Sequence, residues 1–187
     1  MKITQTLDTD RKGWRAWLKK NHAKAKEIWI VYHKKHTGKP SISYNHAVEE
    51  ALCFGWIDST AKTIDKDKYA QRFTPRKDIG NWSELNKERV RRLMAAGKMT
   101  AAGLAKVGEV HSRTLHKPEL RIPAKILKEL KKDKQVWANF QKFPETYKLI
   151  RIGWIAATKR PQTYQQRLRY FLKMTKQNKQ YGMLHKP

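Results

Sequence analysis

The sequence predicts an α+β fold: a small antiparallel sheet flanked by helices, followed by an all-helical C-terminal subdomain. Three observations predict it. The run Ile28-Trp29-Ile30-Val31-Tyr32 is continuously β-prone. Two further β-type segments flank Asp65-Lys66-Asp67, a hairpin-type linker. Beyond residue 118 every segment carries helical periodicity, with prolines at first-turn positions.

Asp10 to Asn21 reads as an amphipathic helix, because Trp14, Trp17 and Leu18 fall on one face. Glu27 to Lys34 reads as a strand buried on both faces, since its apolar residues do not alternate. Lys35 to Pro40 is a polar loop. Ser43 caps a helix from Tyr44 to Phe54, with Ala47, Val48, Ala51 and Leu52 inward. Strands follow over Trp56–Ile64 and Lys68–Thr74, with Tyr69 and Phe73 on one face. Ser83 caps a helix to about Ala96, and Gly97 suits its C-terminus. Thr100 opens a short helix to about Val110. The basic linker His111–Pro118 divides an α+β domain, 1–118, from a basic helical subdomain, 119–187. In the latter, helices are expected over Ala124–Lys131, Lys134–Lys142, Glu145–Thr158 and Gln162–Lys176.

Charge narrows the function classes. The chain has 187 residues, 42 Lys+Arg and 16 Asp+Glu, a net charge of +26. Such an excess draws in polyanions: nucleic acid, anionic lipid headgroups or acidic proteins. A simply well-solvated surface is the other reading. The single cysteine, Cys53, excludes an internal disulfide and suits a reducing cytoplasm. The N-terminal residues show no apolar signal-type core, and no apolar run reaches the ~18 residues that span a bilayer. A cytoplasmic protein is the expectation.

The clearest electrostatic feature is the tail. No Asp or Glu follows Glu145. Lys148, Arg151, Lys159, Arg160, Arg167, Arg169, Lys173 and Lys176 form the candidate basic surface, on helices whose other faces carry Tyr147, Ile150, Trp154, Leu168 and Phe171. Cationic stripes of this kind neutralise phosphates, or lie on an anionic membrane. Solvated stripes over an ordinary core are the alternative.

A second candidate lies in residues 54–83. Arg72 and Arg76 bracket Phe73-Thr74-Pro75 and could hold one anion by forked hydrogen bonds. Lys62 is a third candidate cation. Trp56 and Trp82 are candidate stacking walls. Asp58 would share a strand face with Trp56 and could orient an arginine or act as a base. The alternative is a structural ion pair over core tryptophans. Cys53 sits among apolar residues, as an inert thiol would. His33 and His36 have no completing ligands, so no metal site is expected. No phosphate-cradling glycine loop or nucleophile elbow occurs, and no cofactor is expected.

A family resemblance rests on combined motifs. These are Gly38-Lys39-Pro40-Ser41-Ile42-Ser43-Tyr44, Ala47-Val48-Glu49-Glu50, Ala51-Leu52-Cys53-Phe54-Gly55-Trp56-Ile57-Asp58-Ser59, Arg72-Phe73-Thr74-Pro75-Arg76-Lys77, Asn81-Trp82-Ser83 and Asn86-Lys87-Glu88-Arg89-Val90. Phe140, Pro144, Tyr147, Gly153-Trp154-Ile155 and Lys159-Arg160-Pro161 extend them. Together they resemble the YdeI/OmpD-associated (OmdA-like) family of bacteriocin-protection proteins. The resemblance implies a role in withstanding bacteriocins or antimicrobial peptides and assigns no catalytic residues.

The sequence thus predicts a non-enzymatic binding protein for an anionic partner, with nucleic acid first, in a stress or bacteriocin-protection setting. Two rivals stay open: an enzyme acting on a small anionic metabolite around Asp58, Arg72 and Arg76, and an adaptor on an anionic membrane or partner protein.

Overall fold

The computed structural model describes residues 2–77, 82–108 and 119–182. The predicted linker His111–Pro118, Asn81 of the Asn-Trp-Ser motif and the last residues of the basic tail lie outside them. The chain divides into two compact units: 2–77 with 89–108, and 82–88 with 119–182.

The first unit is built on a four-stranded sheet of order β1-β2-β4-β3. Its strands are β1 (Thr6–Leu7), β2 (Ile28–His33), β3 (Trp56–Thr63) and β4 (Lys68–Pro75). β1 runs parallel to β2, and the other pairings are antiparallel. The two-residue β1 is absent from the sequence reading, because two residues carry no periodicity. Ile28 to Tyr32 are all buried, as befits a central strand without alternation. The β3–β4 turn is fixed by Asp65, whose Oδ1 accepts from Asp67 N and Lys68 N, each at 2.7 Å.

Cross-strand pairing sets the faces. Ile28, Phe73 and Asp58 lie opposite one another, as do Tyr32 and Tyr69. This face is covered by α1 (Arg11–Asn21) and α2 (Tyr44–Cys53). The Trp14 ring lies 5.5 Å from Phe73, and its indole N–H donates to Ala47 O at 3.0 Å. Asp10 and Ser43 cap these helices by accepting from Gly13 N and His46 N. Lys35–Thr37, within the predicted polar loop, forms one 3₁₀ turn.

Two more helices belong here. α3 (Glu84–Ala95) ends at Gly97, which has φ +63°. α4 (Ala101–Val107) starts at Thr100, whose hydroxyl donates to Cys53 O at 2.6 Å and accepts from Gly103 N.

The second unit contains α5 (Ala124–Lys131), α6 (Lys134–Lys142), α7 (Glu145–Ala156) and α8 (Pro161–Lys176). The first residues of α3 also fall within it. Asp133 caps α6 by accepting from Gln135 N and Val136 N. Apolar positions three and four apart on these helices meet in one core of Ile126, Leu130, Phe140, Tyr147, Ile155, Leu168 and Phe171.

Candidate functional site

In the first unit, strand alternation separates residues that the sequence places together. Arg72 pairs across from Trp29, so its side chain leaves the sheet on the face opposite Phe73 and Asp58. There Arg72 forms an ion pair with Glu27, its Nε donating at 2.9 Å. Thr4 donates to the other Glu27 oxygen at 2.5 Å. These bonds, Thr4 first and Arg72 next, hold the Glu27 carboxyl below its ordinary range. Arg76 is buried, with its backbone N–H on Gly55 O at 2.9 Å. The forked clamp of Arg72 and Arg76 is therefore not formed around Phe73-Thr74-Pro75: Arg72 is committed to Glu27. Lys62 stands on the exposed outer half of β3.

Trp56 is 1% exposed. It points under the helices, edge-on to Trp17 at 5.7 Å, and its N–H donates to His22 O. It belongs to the core and offers no stacking wall. Alternation within β3 is also broken: the register shifts between Asp58 and Ala61, and Gln71 Nε2 donates to the bulged Ser59 carbonyl at 3.1 Å.

What surrounds Asp58 is a set of tyrosines. Tyr44 donates to Asp58 Oδ2 at 2.6 Å. Tyr32 and Tyr69 stack with ring centroids 5.0 Å apart. Burial, helped by Asp58, pushes the Tyr44 hydroxyl well above its ordinary value, and burial does the same to Tyr32. The Tyr32 hydroxyl is buried without a hydrogen-bond partner. Arg89, 3% exposed, donates to Asn45 Oδ1 at 2.8 Å and lies within electrostatic reach of Tyr44 and Asp58. Tyr44 and Arg89 occur in the motifs quoted above, yet their convergence depends on tertiary pairing that spacing does not reveal.

Nearby, buried Glu50 accepts from Arg11 Nε and Arg15 Nη1, each at 2.6 Å. Burial raises the Cys53 thiol above its usual range, with Arg15 opposing. Its burial is what the apolar neighbours in the sequence lead one to expect.

In the helical unit the predicted basic residues separate by their surroundings. Lys159, Arg160 and Arg169 are exposed and line two clefts of about 590 and 400 Å³. Both clefts share Lys125, Tyr164 and Gln165, and Lys128 completes the second. Among the described residues, none of these five cations forms an ion pair. Glu129, the acid on this wall, is engaged by Lys132 at 2.6 Å. Lys125 and Lys128 were not singled out from sequence; their i, i+3 spacing on one helix was the available signal.

Lys148 and Lys176 are committed elsewhere, to Gln141 O at 2.7 Å and to Asp133 at 2.8 Å. Lys173 is exposed at the end of α8. Arg151 departs from the predicted cationic surface: it is 6% exposed. Its guanidinium lies 5.0 Å from the Tyr181 ring and 5.7 Å from those of Tyr147 and Trp154. The chain after α8 folds over it, so a residue that helical spacing places outside is enclosed by aromatics. Gly182, at φ +98°, allows this, since a Cβ there would stand 2.7 Å from Arg151 Nη1.

Trp82 also belongs to this unit. It is 7% exposed and lines a third cleft, of about 250 Å³, with Glu84, Arg151, Gly153, Trp154 and Arg167. Arg167 lies 4.4 Å over the Trp154 ring and donates to the Trp154 carbonyl at 2.5 Å.

Among the described residues there is no cluster of three or more potential metal ligands, and no helix is long and apolar enough to cross a membrane. No curated protein and no solved structure matches the chain. Two family models do. Residues 7–106 match one described as a domain of unknown function (DUF8412). Residues 119–178 match one described as bacteriocin-protection, YdeI or OmpD-associated (OmdA). The motifs around Asp58 and Arg72 thus fall in the first match, and the basic clefts in the second. The chain belongs to the DUF8412 family, whose model spans its sheet-containing part, and its helical part matches the YdeI/OmpD-associated, bacteriocin-protection (OmdA) family that the sequence motifs resemble.

Proposed function

We propose that this chain is a non-enzymatic, cytoplasmic binding protein for single-stranded nucleic acid, acting in bacteriocin protection. One observation carries the reading. Two adjoining clefts of the helical unit share Tyr164 and are rimmed by Lys125, Lys128, Lys159, Arg160 and Arg169, none engaged with a described carboxylate. Cations flanking an aromatic ring suit a flexible phosphate backbone whose bases can stack. The absence of acidic residues after Glu145 adds long-range attraction. The lone thiol suits a reducing compartment, and the OmdA description supplies the bacteriocin setting.

The test is fluorescence anisotropy with a labelled oligothymidine of about 12 nucleotides, in about 50 mM salt, a length suited to one single-strand site. Saturable binding is expected, weakened by the variant Lys125→Ala/Arg169→Ala. Flotation with anionic vesicles is the companion measurement. Vesicle binding without oligonucleotide binding overturns the nucleic-acid reading in favour of membrane docking.

A second reading is favoured by the Asp58 cluster. Tyr44, Asp58, Tyr32 and Arg89 could hold a small polar metabolite, with Asp58 as base. Arg72 takes no part, because it leaves the other face of the sheet. Succinate and inorganic phosphate are suitable probes. This reading expects either to raise the melting temperature of the native chain and not that of Arg89→Gln, which removes the cation of the cluster. No shift with either probe counts against it.

A further inference from the structure

The cleft formed by Trp82, Glu84, Arg151, Gly153, Trp154 and Arg167 has a chemistry of its own. At about 250 Å³ it falls just below the ~300 Å³ at which pockets for drug-sized molecules begin, so one flat ring system is the natural occupant. Two indoles take part in its wall. Trp154 is 37% exposed, whereas Trp14, Trp29, Trp56 and Trp82 are all buried. The Arg167 guanidinium already lies 4.4 Å over the Trp154 ring, so one side of that indole is backed by a cation.

The acid on this wall is Glu84. Glu84 Oε1 accepts from Lys87 Nζ at 2.7 Å. Glu84 Oε2 is buried and has no hydrogen-bond partner. An acceptor left in that state carries a desolvation penalty, which a ligand N–H relieves when the carboxylate turns to face the cleft. Gly153 keeps the wall open: a Cβ there would stand 3.0 Å from Glu84 Cγ.

We infer that this cleft is a guanine subsite, with the base stacked against Trp154 and its N1–H and N2–H₂ donors on Glu84. Guanine is selected because its Watson–Crick edge carries two adjacent N–H donors, which match one carboxylate. Lys87, held on Oε1, supplies a donor for the neighbouring O6. Adenine and cytosine place an acceptor where the second donor is needed, and uracil offers one N–H between two carbonyls. Arg167 compensates the phosphate charge of the nucleotide. The inference extends the single-strand reading: the clefts around Tyr164 attract the backbone, and this one selects a base.

The test separates the two. Tryptophan fluorescence of the full chain is titrated with free GMP, AMP, CMP and UMP. GMP is expected to quench at a concentration at least tenfold lower than the other three. Glu84→Gln replaces one acceptor oxygen with an amide and is expected to weaken GMP roughly ten- to hundredfold, the span of one paired base contact. It should leave oligothymidine binding unchanged. Trp154→Ala, at a part-exposed position, should abolish the quench; circular-dichroism melts verify that both variants fold. Equal quenching by all four nucleotides, or none by any, overturns the guanine subsite whatever oligothymidine does. A GMP preference without oligothymidine binding overturns the single-strand reading and keeps the subsite.

Discussion

Glu27 shows how the residue scale decides what an arginine is for. From sequence, Arg72 beside a proline turn reads either as half of an anion clamp or as half of a structural ion pair. In the fold it is one of three donors that hold Glu27 ionised, with Thr4 and the Trp29 indole N–H. The sign of the pH effect follows. A carboxyl with a lowered folded-state value stabilises the native state above its ordinary value of about 4.3 and loses that contribution as pH falls through the lowered one. Glu27→Gln should therefore be less stable than the parent at pH 7 and indistinguishable from it near pH 2, by urea unfolding. A difference that grows on acidification would contradict this assignment. Cys53 gives a second prediction. Its thiol is buried and its ionisation opposed by that burial. Dithionitrobenzoate should react with the native chain only as slowly as it opens and with the urea-unfolded chain at once. Prompt reaction of the native chain would mark an activated cysteine.

Elements were the most legible scale. Caps at Asp10, Ser43, Thr100 and Asp133, prolines before α5 and α7 and a proline at the first position of α8 delimit helices close to their observed bounds, because capping is local chemistry. Tertiary pairing was not legible. Nothing in the spacing of β3 announces the shift between Asp58 and Ala61, and nothing local brings Tyr32 against Tyr69. Burial of Trp56 and enclosure of Arg151 likewise depend on which element covers each face. The docking of α4 is a testable case. A Cβ on Gly103 would fall 2.2 Å from Cys53 O at the end of α2, a contact only backbone movement relieves. Gly103→Val should cost about 3 kcal/mol, the upper end of the usual overpacking range, because the contact is with backbone and the helix must move. Gly97→Ala is its counterpart: a Cβ there meets nothing within 4 Å, so its cost comes from φ +63° alone. Equal tolerance at both positions would show that α4 is not closely docked.

At the scale of the whole molecule, charge and aromatics divide the labour. The sheet-containing unit spends its arginines internally: Arg11 and Arg15 on Glu50, Arg72 on Glu27, Arg89 on Asn45. The helical unit leaves Lys125, Lys128, Lys159, Arg160 and Arg169 around open clefts. The tail's lack of acids made that unit visible from sequence. The particular five cations were not, because which helix faces border a cleft is a property of the assembled bundle. The central claim is that this surface binds a single-stranded polyanion through those side chains. Its most direct measurement is the salt dependence of oligothymidine affinity for the parent chain and for Lys125→Ala/Arg160→Ala/Arg169→Ala. Five phosphate contacts predict a slope of about −3.5 in log affinity against log salt, roughly a hundredfold loss between 50 and 200 mM. Removing three cations should flatten the slope to about −1.4. An unchanged slope in the variant, or an affinity independent of salt in the parent, would contradict the account.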